Sequence, residues 1–306
     1  VNMTGGEIFC RSDSIELIKD TINMGLNVSI ETNGTMITES QIKELSQYKD
    51  NLSMSISLDG ITSETNNLTR GNGSFEKTFN TIKTIKKYNI PLRIITVLSD
   101  NNYDEIPKLA KTIHEELGLG FRLLPNIIEY GKGVTANDEY GVSYPKIKKL
   151  MDDFYYDFLR KHAEDENLTI ELNMAIIPID IYRHSFCPWG KAMLGIGYSG
   201  NVALCHVASD NDMFIFDNVK NNKISDIWKY NKKLLKFVNE NPDDLKGVCG
   251  NCLARSLCRG GCRLHAMSKY LGDFYAPDPD CQKVYDIGMF PEYALDDVEK
   301  VCNYEK

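Results

Sequence analysis

The sequence contains no apolar run approaching the twenty or so residues of a membrane-spanning helix, and nothing at its start resembles a secretory signal. No membrane association is therefore expected. It is short of positive charge: 35 Lys and Arg against 43 Asp and Glu leave a net charge of -8, which argues against nucleic acid as principal partner. No internal repeat or low-complexity tract is present, so a solenoid or array is excluded. Cysteine is nearly missing from the first 186 residues, where only Cys10 occurs. A disulfide scaffold fits that distribution poorly, because 306 residues with 42% apolar side chains can fill one large or two medium cores without staples. The thiols suit a reducing compartment, and the cytoplasm is the default location.

What the front lacks, the back has in excess. Seven of the nine cysteines fall between Cys187 and Cys281, four of them as Cys249-x2-Cys252-x5-Cys258-x3-Cys262, with Gly200-x4-Cys205 upstream. Thiolates this dense are placed to bind metal. Cubane iron-sulfur clusters need soft ligands held at several corners by loops, and two of them would use seven or eight cysteines. Zinc ribbons also use Cys-x2-Cys pairs, so spacing alone leaves zinc open.

Ahead of the cysteines, short β-branched runs alternate with amphipathic segments. Residues 27–30, 52–56, 92–97 and 120–124 read as strands; 12–24, 38–48, 74–88 and 103–117 read as helices, with Thr38 and Ser74 as N-caps and Gly25 as a C-cap. Residues 143–163 read as one long helix, and a further strand follows near 168–172. This β-α rhythm predicts a parallel sheet with right-handed crossovers, either doubly wound or a barrel. Loops dominate from Cys187 onward, so a metal-nucleated second domain is expected to begin between about 175 and 187, giving domains 1–180 and 181–306.

In a parallel barrel, chemistry collects where strands end. Gly5-Gly6-Glu7 follows the apolar Val1-Asn2-Met3, while Glu31-Thr32-Asn33-Gly34-Thr35, Ser57-Leu58-Asp59-Gly60, Ser99-Asp100 and Leu124-Pro125 fall after predicted strands, and Arg70-Gly71-Asn72-Gly73 is a further loop. Each alone reads as a turn. Together they place Glu7, Glu31, Asn33, Ser57 and Asp59 on one rim.

These strand-end motifs, with Arg70-Gly71-x2-Ser74-Phe75, resemble those of radical S-adenosylmethionine (AdoMet) enzymes, and the seven cysteines resemble the SPASM extension of members that modify peptides and proteins. The resemblance implies a partial (β/α)6 barrel of the TIM type and a small loop-rich iron-sulfur domain. It implies that Gly5, Gly6 and Glu7 receive the methionyl amino group of AdoMet, that Asn33 and Ser57 line the pocket, and that Arg70 takes the carboxylate. It assigns Cys187, Cys205 and Cys262 to one auxiliary [4Fe-4S] cluster and Cys249, Cys252, Cys258 and Cys281 to a second. Met193 stands where some relatives place a fourth ligand to the first, which would leave an iron either open to a substrate thiolate or met by a ligand the pattern does not reveal.

Two departures matter. The Cys-x3-Cys-x2-Cys motif that binds the radical-generating cluster is absent, so the expectation is a chain lacking the first barrel strand and that third [4Fe-4S] cluster, unable to cleave AdoMet alone. His206 stands where sulfatase-maturing relatives carry an aspartate base, and is the candidate proton acceptor here. The implied activity of the full protein is modification of a ribosomal peptide, with thioether formation as its specific form and flavodoxin or ferredoxin as reductant. Formylglycine generation on a sulfatase, a zinc-ribbon binding module on an α/β barrel, and a noncatalytic peptide-binding relative are the alternatives. Trp189 and Trp228 are read as packing residues, Cys10 and Cys302 as bystanders, and His114, His162, His184 and His265 as lacking any spacing that implies a site.

Overall fold

The computed structural model describes residues 1–125, 127, 130–162, 164–170 and 187–296. The chain divides into two compact units, the first built from residues 1–127 and 136–171 and the second chiefly from residue 184 onward. The expected boundary between 175 and 187 lies largely outside the described residues, as do His184 and Cys302.

The first unit is a parallel sheet of six strands in chain order: β1 Asn2–Met3, β2 Val28–Thr32, β3 Leu52–Ser57, β4 Leu92–Val97, β5 Gly120–Leu124 and β6 Leu168–Ile170. Alternation explains it. In β2 and β3 every second residue (Val28, Ile30, Thr32; Leu52, Met54, Ile56) is buried, while Ser29, Glu31, Ser53, Ser55 and Ser57 between them stay half-buried on a polar face. Register aligns Glu31 with Ser55, and Ser55 with Arg93, across three strands. Helices α1 Ser14–Asn23, α2 Glu39–Leu45, α3 Ser63–Arg70, α4 Ser74–Lys87, α5 Ile106–Lys111, α6 Lys132–Tyr140 and α7 Tyr144–Phe154 intervene.

Thr38 caps α2 as expected, in a full capping box with Gln41, a device that stabilises by about 1 kcal/mol. Gly25 follows α1 with φ of +83°, the left-handed conformation its lack of a Cβ permits. Ser74 is not a cap: Gly73 occupies that position, and the Ser74 hydroxyl instead donates to Asn67 Oδ1 and accepts from Asn66 Nδ2. The stretch read as one helix over 143–163 is α7 continued by a π-helical turn, Tyr155–Leu159. The predicted helix 103–117 likewise ends in a π-helical turn, Thr112–Glu116.

The second unit carries a three-stranded antiparallel sheet, β7 Gly195–Ile196, β8 Asn201–Ala203 and β9 Ile215–Asn218, followed by short helices α8 Ile224–Tyr230, α9 Lys232–Val238, α10 Gly247–Gly250, α11 Arg255–Cys258, α12 Arg263–Lys269 and α13 Pro279–Asp286. Its core gathers Trp189, Val202, Leu204, Phe214, Phe216, Leu234 and Leu264. Trp189 also takes the Arg259 guanidinium over its ring at 3.9 Å, a cation–π contact of about 1 kcal/mol. Trp228 is half-buried.

Candidate functional site

In the first unit, four strand-end loops are tied into one frame. Glu7, after β1, accepts from the Asn33 N–H at 2.8 Å, the Thr32 hydroxyl at 2.7 Å and the Phe9 N–H at 3.2 Å. Its carboxylate thus braces the first loop to the second, a role that sequence reading did not assign. Asn33 folds its own side-chain oxygen back to Thr35 N–H and hydroxyl, while its carbonyl accepts from Thr78. Gly5 and Gly6 are exposed, and a Cβ built on either meets nothing within 4 Å. A ligand could therefore lie directly on that backbone.

Asp59, expected on the rim, is instead buried at 4% exposure and works as a bracket. Its Oδ1 accepts from the Val97 N–H at 2.9 Å, its Oδ2 from Arg70 Nε at 2.5 Å and from Thr69, and its own carbonyl from Asn102. Arg70, the last residue of α3, is held through Nε alone, leaving both Nη groups without a partner among the described residues. A fork fixed at its root and unfilled at its tips suits a carboxylate. The loop reaches this shape through Gly60, where a Cβ would sit 2.6 Å from Asn66 N and 2.8 Å from Thr65 Cβ. Gly60→Ala is accordingly expected to destabilise this unit by about 2 kcal/mol, seen as a lowered midpoint in chemical denaturation. Ser57 ends β3, half-buried on the polar face.

In the second unit, Cys249, Cys252, Cys258 and Cys281 converge on one small cavity, completed by Arg255, Gly260 and Phe290. Cys249, Cys252 and Cys281 are buried and Cys258 is half-buried. Burial pushes the Cys258 thiol up to about 11 and raises those of Cys249, Cys252 and Cys281; Asp278 raises all but Cys252 further. Such thiols ionise only if a cation compensates the lost hydration. The other three gather apart: burial raises the Cys262 thiol to about 12, and Cys205 and Cys187 both push it in the same direction. Cys205 is half-buried and Cys187 exposed.

Main-chain N–H groups already aim at the sulfurs. Asp278 donates to Cys249 at 3.3 Å, and the main-chain amides of Ala254, Gly261 and His265, and of Val207 and Ala208, ease ionisation of Cys252, Cys258, Cys262 and Cys205 respectively. Hydrogen bonds of this kind favour thiolate and tune cluster potential. Fully buried Arg263 donates to the carbonyls of Gly260, Phe274 and Ala276, and its charge eases ionisation of Cys249 and Cys258. None of the eight described cysteines forms a disulfide.

Four thiolates around one cavity suit a cubane or a zinc tetrahedron.

Residues 1–113 match the radical SAM superfamily, and residues 187–253 match SPASM, an iron-sulfur cluster-binding domain. The chain is a radical SAM protein with a SPASM domain. Among curated relatives it is 26% identical to the AdoMet-dependent heme synthase of Methanosarcina barkeri over 91% of this chain and 81% of that protein. It is 26% identical to the PqqA peptide cyclase of Rhizobium meliloti, covering 92% and 73%. Its fold matches the solved structure of native anSMEcpe with bound AdoMet and Cp18Cys peptide, with TM-score 0.68, 21% identity and coverage of 93% and 81%. The sequence-based reading of a parallel α/β fold of radical SAM type therefore holds.

The remaining sequence candidates are scattered. His206 is exposed, and no described group orients its imidazole. Cys10 is exposed in the turn after Glu7. His114 and His162, read as lacking partner spacing, instead face each other with ring centroids 4.7 Å apart. No spacing rule could have found them, since 48 positions separate the two.

Proposed function

We propose that this chain is the core of a radical SAM maturase that modifies a ribosomal peptide, in the specific form of a thioether between a cysteine thiol and a peptide carbon. The observation that carries the reading is the division of seven cysteines into a set of four around one cavity and a separate set of three. Cys249, Cys252, Cys258 and Cys281 would hold one [4Fe-4S] cluster completely. Cys187, Cys205 and Cys262 would hold another and, with Met193 nearby in sequence, leave one iron for the substrate thiolate. The name of the PqqA peptide cyclase relative supports a peptide substrate.

The cradle at Gly5 and Gly6 and the unfilled tips of Arg70 fit AdoMet. Gly5 and Gly6 would take the methionyl amine through their main chain, Arg70 the carboxylate, and Ser57 and Asn33 would line the pocket. Glu7 and Asp59 hold those groups in place. When bound, AdoMet with its reduced cluster would supply hydrogen-atom abstraction at the peptide carbon, and the clusters held by the two cysteine sets would supply a one-electron acceptor for carbon–sulfur bond formation. His206 would receive the thiol proton. The Cys-x3-Cys-x2-Cys triplet is not among these 306 residues, so turnover is proposed for a polypeptide that includes it, with flavodoxin or ferredoxin as electron donor.

The test is anaerobic incubation of that polypeptide with AdoMet, a reductant and a candidate cysteine-containing peptide, followed by mass spectrometry. A product two hydrogens lighter that no longer alkylates supports the reading. A formylglycine product shifts it to sulfatase maturation, and an unchanged peptide beside a converted tetrapyrrole acid ends it. In the same assay, His206→Gln is expected to lower kcat by about 10²-fold while leaving iron content unchanged.

A further inference from the structure

We propose that His114, His162 and Asp165 form a site for one divalent transition-metal ion, zinc in the first instance, at the end of the barrel unit opposite the AdoMet loops. The three side chains present ligand atoms that all lie within 4.8 Å of one another, the only such group of His, Cys, Asp or Glu among the described residues. His114 precedes β5 and Asp165 precedes β6, so the cluster sits at the N-terminal ends of strands whose C-terminal ends face the AdoMet motifs. It plays no part in the reaction above.

The geometry is that of prepared ligands. His114 is buried, and its Nδ1 lies 3.1 Å from the Leu119 carbonyl, which can only accept. In the neutral ring the proton then sits on Nδ1 and the Nε2 lone pair faces Asp165 Oδ2, 3.2 Å away. A lone pair against a carboxylate is repulsive unless a cation lies between them. His162 is arranged the same way: its Nε2 is 2.9 Å from Glu115 Oε1, so a carboxylate holds one ring nitrogen and frees the other. Histidine ligands of metals usually have their second nitrogen engaged like this.

Both histidines belong to segments with π-helical turns, His114 within Thr112–Glu116 and His162 shortly after Tyr155–Leu159. Such turns are rare and concentrate at functional sites. Two imidazoles and a carboxylate are an ordinary zinc set, with water as fourth ligand. Tetrahedral binding needs the ligand atoms at about 3.4 Å, a contraction that the turn positions of His162 and Asp165, with side chains 23% and 38% exposed, can absorb. The ion would clamp the entries of β5 and β6 together. The rival arrangement is a metal-free imidazolium at His114 paired with Asp165.

Anaerobic cluster-loaded protein incubated with one equivalent of zinc and desalted should retain about one zinc per chain, with a nitrogen/oxygen-only shell near 2.0–2.1 Å by zinc-edge X-ray absorption. His162→Ala and Asp165→Asn should each lower zinc retention at least tenfold with iron content and cluster absorbance unchanged, which shows the variants are folded. Retention below a tenth of an equivalent in the wild type, sulfur in the zinc shell, or undiminished zinc in both variants would overturn the proposal.

Discussion

Replacing both Cys249 and Cys281 with alanine is expected to halve the iron of the anaerobically reconstituted protein, from about eight to about four per chain, with a matching loss of absorbance near 400 nm. Both sulfurs line the same cavity, and both are buried. Cys281 is positioned by the first turn of α13, where Asp278 caps the helix by accepting from the Asp280 and Cys281 N–H groups. Removing two of four thiolates leaves a cubane half-ligated, whereas the set of Cys187, Cys205 and Cys262 is untouched. The second unit should also lose stability, since metal ligation is part of its folding free energy. A single Cys10→Ala exchange should change nothing in iron content. If the double variant keeps all its iron, or Cys10→Ala loses some, the assignment of ligands is wrong.

Asp59→Ala is expected to lower the stability of the barrel unit by about 3 kcal/mol and AdoMet affinity by at least tenfold. The carboxylate is buried and joins three elements: it accepts from the Val97 N–H, from Thr69 and from Arg70 Nε. Alanine leaves the Val97 amide without its acceptor and a partly buried guanidinium without its counter-charge. Arg70 then loses the fixed root that aims its Nη groups. Arg70→Ala should weaken AdoMet binding similarly but cost less stability, because Asp59 keeps its other two donors. Equilibrium denaturation and calorimetric titration with AdoMet separate the two effects; equal stability losses in both variants would contradict the bracket role.

The parallel sheet was legible because β2 and β3 alternate buried and half-buried residues, a period that survives any tertiary context. Helix α3 was not. Its sequence, Ser-Glu-Thr-Asn-Asn-Leu-Thr-Arg, has no apolar stripe, and its one buried residue is Asn66, which accepts from the Asp59 N–H and donates to Ser74. A helix seated on hydrogen bonds leaves no hydrophobic signature. Helix α6 is missed because its sequence, with Gly133, Thr135 and Asn137, is poor in helix formers. The strand-end motifs were visible, but not their division of labour: Glu7 and Asp59 read as rim groups and act as braces within the loops. The cysteine pattern pointed to metal binding while its spacing left zinc open; the match of residues 187–253 to an iron-sulfur cluster-binding domain favours clusters. His114, His162 and Asp165 meet only because β5 and β6 are neighbours in the sheet.

Mössbauer spectroscopy of the ⁵⁷Fe-reconstituted chain tests the central claim directly. The account requires nearly all iron to appear as cubane [4Fe-4S] clusters at about eight irons per chain, seven cysteines serving two sites. A spectrum without cluster iron, from colourless protein whose cysteines hold a single zinc ion, would contradict it.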